Sequence, residues 1–159
     1  MPTFSDNKGR PWIVDINVLA VKRVRRMLDG LDLTDVNSGS PTLLTRLAID
    51  YVLVCDVLYV LCKPQADALN PPLTDEQFGE AMGGEALGKG HAALMGALVD
   101  FFQSLNPPRM EIVRILQGMM RLIAAGVALG ESKVAAIDLE KFLPNPSGSS
   151  STNAPASSV

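Results

Sequence analysis

Apolar positions run almost without interruption from Thr42 to Cys62, TLLTRLAIDYVLVCDVLYVLC, and this stretch predicts a helix around which the chain is organised. Ser40-Pro41 announces its start, a capping hydroxyl followed by a proline whose fixed φ suits a first turn. Pro64 is expected to close it, because the residue before a proline is biased out of the helical region. On a helical wheel the polar residues Thr42, Thr45, Arg46, Asp50 and Asp56 share one sector with Ile49, Leu53, Val57 and Val60. The first half therefore keeps a wet stripe, while the second half is apolar almost all round. Such a helix is buried, within its own domain or against another chain. The apolar excess grows towards Cys62, which assigns Leu53 to the core and Val57 and Val60 to a contact surface.

Before that stretch the pattern changes period. Thr3-Phe4-Ser5 and Arg10 to Ile16 flank Asp6-Asn7-Lys8-Gly9, a turn supplied with Asp and Asn for local hydrogen bonds and Gly for positive φ. Trp12, Val14 and Ile16 alternate onto one face, which predicts a β-hairpin over 1–17. A lone hairpin is marginal in water, so it must lie on helices or be extended by another chain. Asn17 then caps a helix from Val18 to Leu28, with Val21, Val24, Met27 and Leu28 as its apolar stripe. Lys22, Arg23, Arg25 and Arg26 crowd the other side.

Beyond Pro64 the pattern gives a surface linker through Pro72, then Thr74-Asp75-Glu76-Gln77, a capping box that opens a helix through Phe78 and Met82. Glu85 to Gln103 follows, with Leu87, His91, Leu94, Met95, Leu98, Val99 and Phe102 on its apolar side. Glycines cost a helix about 1 kcal/mol each relative to alanine, so Gly88, Gly90 and Gly96 mark close approach of another backbone. Asn106-Pro107-Pro108 breaks the chain. Met110 to Lys141 predicts one long helix or two in series, with Gly126 and Gly130 as candidate breaks. Residues 144–159, PNPSGSSSTNAPASSV, carry neither charge nor hydrophobic pattern and predict a disordered Ser/Pro-rich tail. The fold class expected is mainly α with a small N-terminal β-hairpin (α+β), a helical bundle forming one domain over 1–143, with helices across 18–143.

Composition narrows the function classes. The formal charge is −3 and aromatics make up 5% of the chain, a poor fit to a nucleic-acid binder. Residues 1–30 nevertheless carry six basic against three acidic residues, so Lys22, Arg23, Arg25 and Arg26 form a candidate electrostatic patch. Its readings are a solvated face, a phosphate contact, or docking to an acidic partner surface. Uneven charge of this kind also allows self-association. Charges interrupt the N-terminus before any apolar run, and no charge-free apolar stretch reaches the ~18 residues of a membrane span. Cys55 and Cys62, seven apart on one helix, lie roughly 10.5 Å apart along the axis and predict free thiols in a reducing compartment.

Side chains suited to site chemistry are few. His91 is the only histidine, and Asp100, nine residues on, falls on the opposite face of the same helix. One histidine and two helix-borne cysteines make no zinc set, and Asp75, Glu76 and Glu80 lack EF-hand spacing. Gly83 to Gly90, GGEALGKG, matches a phosphate loop in outline, but it follows a helix and Gly90 stands where Ser or Thr would hold Mg²⁺. Met82, Met95, Met110, Met119 and Met120 fall among apolar neighbours, where they suit a core or an adaptable binding groove. The expectation is a non-enzyme with no cofactor and no metal.

Several segments together resemble a family. The hairpin carries Phe4-Ser5-Asp6 and Gly9-Arg10-Pro11-Trp12, followed by the short basic helix. Cys55-Asp56-Val57-Leu58-Tyr59-Val60-Leu61-Cys62-Lys63-Pro64-Gln65 comes next, then Asp75-Glu76-Gln77-Phe78-Gly79 and Leu98-Val99-Asp100-Phe101-Phe102. Over Thr3 to Pro108 the chain resembles the small tail assembly chaperones of tailed bacteriophages and prophages. The resemblance implies a protein of the host bacterial cytoplasm that binds the tape measure protein, helps recruit tail tube protein and leaves before the virion is complete. The alternative is a minor structural component that stays in the particle. Val57, Val60, Met110, Met119 and Met120 are the candidate partner-binding residues.

Overall fold

A computed structural model describes residues 1–126, 130, 133–134 and 136–137; the residues expected to form the Ser/Pro-rich tail lie outside that set. Among the described residues, strands β1 (Thr3–Ser5) and β2 (Pro11–Ile13) precede helices α1 (Val18–Met27), α2 (Leu43–Ile49), α3 (Tyr51–Asp67), α4 (Asp75–Glu80), α5 (Glu85–Ser104) and α6 (Met110–Ala124). The mainly helical fold with an N-terminal antiparallel hairpin is as the patterning predicts.

The hairpin pairs Thr3 with Ile13, Phe4 with Trp12 and Ser5 with Pro11. Phe4, Trp12, Val14 and Ile16 turn inwards and are buried. Its turn is closed by the Asp6 N–H on the Arg10 carbonyl at 3.0 Å and the Gly9 N–H on the Asp6 carbonyl at 3.0 Å, with Gly9 at φ 78°. Asn17 caps α1 as expected, its side chain accepting the Ala20 N–H at 2.9 Å. The Thr74/Gln77 capping box at the start of α4 is present in both directions.

The stretch from Thr42 to Cys62 is two helices. Asp50 sits at φ −100°, ψ 95°, ending α2 with its N–H on the Arg46 carbonyl and opening α3 with its carboxylate on the Leu53 N–H at 3.1 Å. Aspartate favours that N-cap role over a helix interior. Pro64 does not close α3 either; the helix runs on to Asp67, through what the pattern gave as linker. A proline inside a helix deprives the carbonyl four residues back of its donor. Here that carbonyl belongs to Val60, and the Arg23 guanidinium of α1 donates to it at 2.9 Å and to Leu61 at 3.4 Å. A side chain from elsewhere in the chain thus supplies the hydrogen bond that Pro64 removes.

α5 is the structural centre: it packs against α6, α3 and β1. Gly90 and Gly96 admit side chains rather than a backbone and Gly88 borders open space, contrary to the pattern's prediction. A Cβ on Gly90 would lie 2.9 Å from Leu58 Cδ1 and 2.9 Å from Met82 Cε, with Phe4 Cε2 at 3.5 Å. Three other segments meet there. α6 ends at Ala124, and Gly126 at φ 79° makes the break expected of it. No helix among the described residues is long and apolar enough to cross a membrane.

Candidate functional site

The residues singled out for partner binding fall mostly inside the molecule. α3 is flanked by α1, α2, α4, α5 and β2, so a helix that is apolar nearly all round is covered nearly all round. Val57 is 0% and Val60 2% exposed, so neither presents a docking surface on the folded chain. Leu53, expected in the core, is the half-buried one of the three. Met119 is likewise fully buried, and Met110 and Met120 are half-buried against the core.

The basic helix α1 divides its charges. Arg23 is committed to the carbonyls of α3, and Arg25 pairs with Asp32 at 3.0 Å. Lys22 and Arg26 remain exposed with no ion pair among the described residues. A four-cation patch is thereby reduced to two free charges.

The hairpin, the end of α3 and α4 converge on one arrangement. The Asp6 carboxylate, its side chain fully buried, accepts from the Lys8 N–H (2.9 Å), the Arg10 N–H (3.0 Å), Arg10 Nε (2.8 Å) and Trp12 Nε1 (3.0 Å). Burial pushes this carboxyl up, and the Trp12, Arg10 and Lys8 donors together outweigh it and hold it below the ordinary 3.8. The Trp12 ring meets Phe78 edge-on at 5.3 Å, and Phe78 in turn meets Tyr59 at 5.5 Å. Gln65 lays its side-chain amide along the outer edge of β2, accepting from the Ile13 N–H at 2.9 Å and donating to its carbonyl at 2.8 Å. Segments scattered from residue 4 to residue 79 thus form one structural unit. The exposed edge of β2 is closed by Gln65 and by Pro11, which has no N–H to offer.

The residues considered for catalysis are placed for structure. His91 is buried, its Nε2 lies 2.8 Å from the Leu47 carbonyl and Tyr51 meets its ring edge-on at 5.7 Å. The carbonyl can only accept, so Nε2 carries the proton. Burial lowers the pKa of His91 below the ordinary 6.5, partly offset by the Leu47 bond. Asp100 is exposed and remote from it in orientation. Burial pushes the Cys55 thiol up to about 11, with Asp56 and Asp75 adding to the shift, and the Cys62 thiol up to about 12. Neither is a ready thiolate. The Gly83–Gly90 stretch builds no cradle: α5 begins at Glu85, so Gly88 to Gly90 are helical, and Lys89 is tied to Glu85 at 2.8 Å. Asp56 is raised by burial and by Asp75 and Asp50, an acidic surface between α3 and α4. No group of residues among those described is arranged to hold a metal ion.

Two kinds of surface remain. Val18 (66% exposed), Leu19 (66%), Tyr51 (53%) and Val52 (73%) are large apolar side chains left in solvent at the starts of α1 and α3. The second surface is a cleft of about 670 Å³ between α6 and Lys133, Ala136 and Ile137, with Arg114, Arg121 and Leu122 on the α6 side and the buried Ile115 at its base. Sequence reasoning missed this cleft because Arg114 and Arg121 are isolated in the chain; their spacing of seven along an amphipathic helix was the available signal. Compared with protein-family models, curated proteins and solved structures, the chain matches none.

Proposed function

We propose that this chain is a non-enzymatic tail assembly chaperone of a tailed bacteriophage or prophage. In this reading it binds the tape measure protein in the host cytoplasm and promotes assembly of tail tube protein around it. The observation that carries the reading is the convergence of three of the segments that carry the resemblance, the hairpin, the end of α3 and α4. Asp6, Arg10 and Trp12 of the hairpin meet Phe78, Tyr59 and Gln65 in one hydrogen-bonded and aromatic unit. A resemblance made of residues that hold each other in place is a resemblance of fold, and it supports a scaffold whose work is done on its surface. The exposed Val18, Leu19, Tyr51 and Val52 supply apolar area for a helical client.

The test is co-expression with a tape measure protein, the long helical client of this reading. The expected outcome is a complex that keeps the long protein out of the pellet, and finished particles that lack this chain. Recovery of the chain in purified particles at fixed stoichiometry would replace the chaperone by a minor structural component. An unchanged pellet would remove both client binding and the reading.

A further inference from the structure

The large apolar side chains left in solvent at the starts of α1 and α3 have opposite charges beside them. On α1, Val18 and Leu19 are each 66% exposed, and Lys22 and Arg26 continue the face of Val18 at one and two turns. Both cations are exposed and have no ion pair among the described residues. On α3, Tyr51 is 53% and Val52 73% exposed, and Asp56 follows Val52 one turn on. Asp50, just before them, and Asp75 of α4 lie close enough to push the Asp56 carboxyl up, in addition to its burial. None of these three carboxylates has an ion pair among the described residues. One patch is therefore apolar and basic, the other apolar and acidic. Ala20, near the start of α1, shares a cavity with Leu61 and Pro64 near the end of α3, while Leu28, just past the end of α1, shares one with Leu53 near the start of α3. The two helices run antiparallel, so their starts are separated by about the length of α1, roughly 15 Å. A single copy cannot lay one patch on the other.

We propose that the α1 patch of one copy docks on the α3 patch of a second copy, so that the protein associates head to tail. Charge and spacing select this partner. Lys22 stands one turn, about 6 Å, from Val18, and Asp56 stands one turn from Val52. A contact that joins Val18 and Leu19 to Tyr51 and Val52 thus brings the free cations of one copy to the free carboxylates of the next. Like patches would repel each other, which rules out a two-fold contact of either patch with itself. Pairing unlike patches leaves one of each kind open after every step, so copies add in open rows or close into rings. Four apolar side chains and a few exposed ion pairs make a small interface, and the association is reversible and dependent on concentration. The proposal goes beyond the chaperone reading and is tested with no client present, so the two can fail separately. A helical client that covers the same apolar side chains would compete with the second copy.

Sedimentation velocity on the full chain, from micromolar to millimolar concentration, provides the test. The mean sedimentation coefficient is expected to rise with concentration, and the rise to shrink as salt is added. Lys22→Glu with Arg26→Glu reverses the α1 patch, and Asp56→Lys with Asp75→Lys reverses the α3 patch. Each variant alone should sediment as a monomer across the range. An equimolar mixture of the two should associate again, because each reversed patch then meets its complement on the other variant. Arg114→Glu with Arg121→Glu on α6 should leave the self-association of the chain unchanged. If the half-buried Asp56 makes its variant fail to fold by circular dichroism, Val52→Lys with Asp75→Lys, both exposed, provides the same comparison. A chain that stays monomeric at all concentrations overturns the proposal. So does association that survives either reversal, or a mixture of the two variants that stays monomeric. Loss of association on reversing Arg114 and Arg121 would move the contact to α6 and overturn it as well.

Discussion

Replacing Asp6 by alanine tests whether one buried carboxylate organises the N-terminal unit. Its side chain is fully buried and accepts four hydrogen bonds, from two backbone amides, the Arg10 guanidinium and the Trp12 indole. Alanine leaves all four donors without that acceptor. Arg10 keeps partial access to water, with its side chain 30% exposed, so its loss is screened. Trp12 is 1% exposed and its indole N–H has nowhere else to go. Removing one partner from a buried charged network costs about 3–5 kcal/mol, and we expect Asp6→Ala to fall in that range by urea unfolding. Asp6→Asn keeps one oxygen for the turn amides but points an amide NH₂ at donors, so about half that loss is expected. The acid dependence supplies a second reading. The folded pKa lies below the ordinary 3.8, so the carboxylate's contribution is fully present above the unfolded value and is lost as pH falls through the lower folded one. Asp6→Asn should therefore flatten the fall of stability below about pH 4. A loss under about 1 kcal/mol for Asp6→Ala, or an unchanged acid slope in Asp6→Asn, would show that the turn holds without its carboxylate.

Other perturbations have definite directions. Val57→Ala should cost about 1–3 kcal/mol although Val57 was assigned to a contact surface, whereas half-buried Leu53→Ala should cost less than the roughly 2.7 kcal/mol at the low end for fully buried leucines; denaturant unfolding orders the pair. Arg23→Met removes the donor that serves the carbonyl freed by Pro64 and should destabilise by about 1–3 kcal/mol, more than Lys22→Met on the same helix, which should stay within about 0.5 kcal/mol. His91 has a folded pKa below its unfolded one, so stability should fall as pH drops from about 7 towards 5, and His91→Gln should flatten that slope in thermal melts at fixed salt.

Local chemistry was legible and its long-range consequences were not. The turn at Asp6 to Gly9, the Asn17 cap, the Thr74/Gln77 capping box and the break at Gly126 are each decided within about four residues, and each stands where the residues put it. The helix expected over Thr42 to Cys62 failed at both of its prolines and in its middle. Ser40 does not cap it; Thr42 does, accepting the Thr45 N–H at 3.2 Å. Asp50 divides it, using a capping preference that the continuous apolar pattern concealed. Pro64 fails to stop it because Arg23, 37 positions before Val60, replaces the lost donor. No window of local sequence contains that compensation.

Long-range contacts redistribute the candidate surfaces as well. Periodicity reports that a helix face is apolar; it does not report how many neighbours arrive to cover it. α3 has five, so its apolar excess is core, and Val57 and Val60 lose their expected role. α1 shows the reverse error for charge. Its cations look like a patch in the sequence, yet Arg23 repairs a helix and Arg25 holds Asp32, which leaves Lys22 and Arg26. Meanwhile Arg114 and Arg121, unremarkable in the chain, line a cleft with Lys133 and meet no carboxylate among the described residues. What a charged or apolar residue is free to do depends on what remains after the fold has used it. By that measure the α6 cleft and the exposed starts of α1 and α3 are left uncovered among the described residues, and the stretch around which the sequence looks organised is spent on holding the protein together.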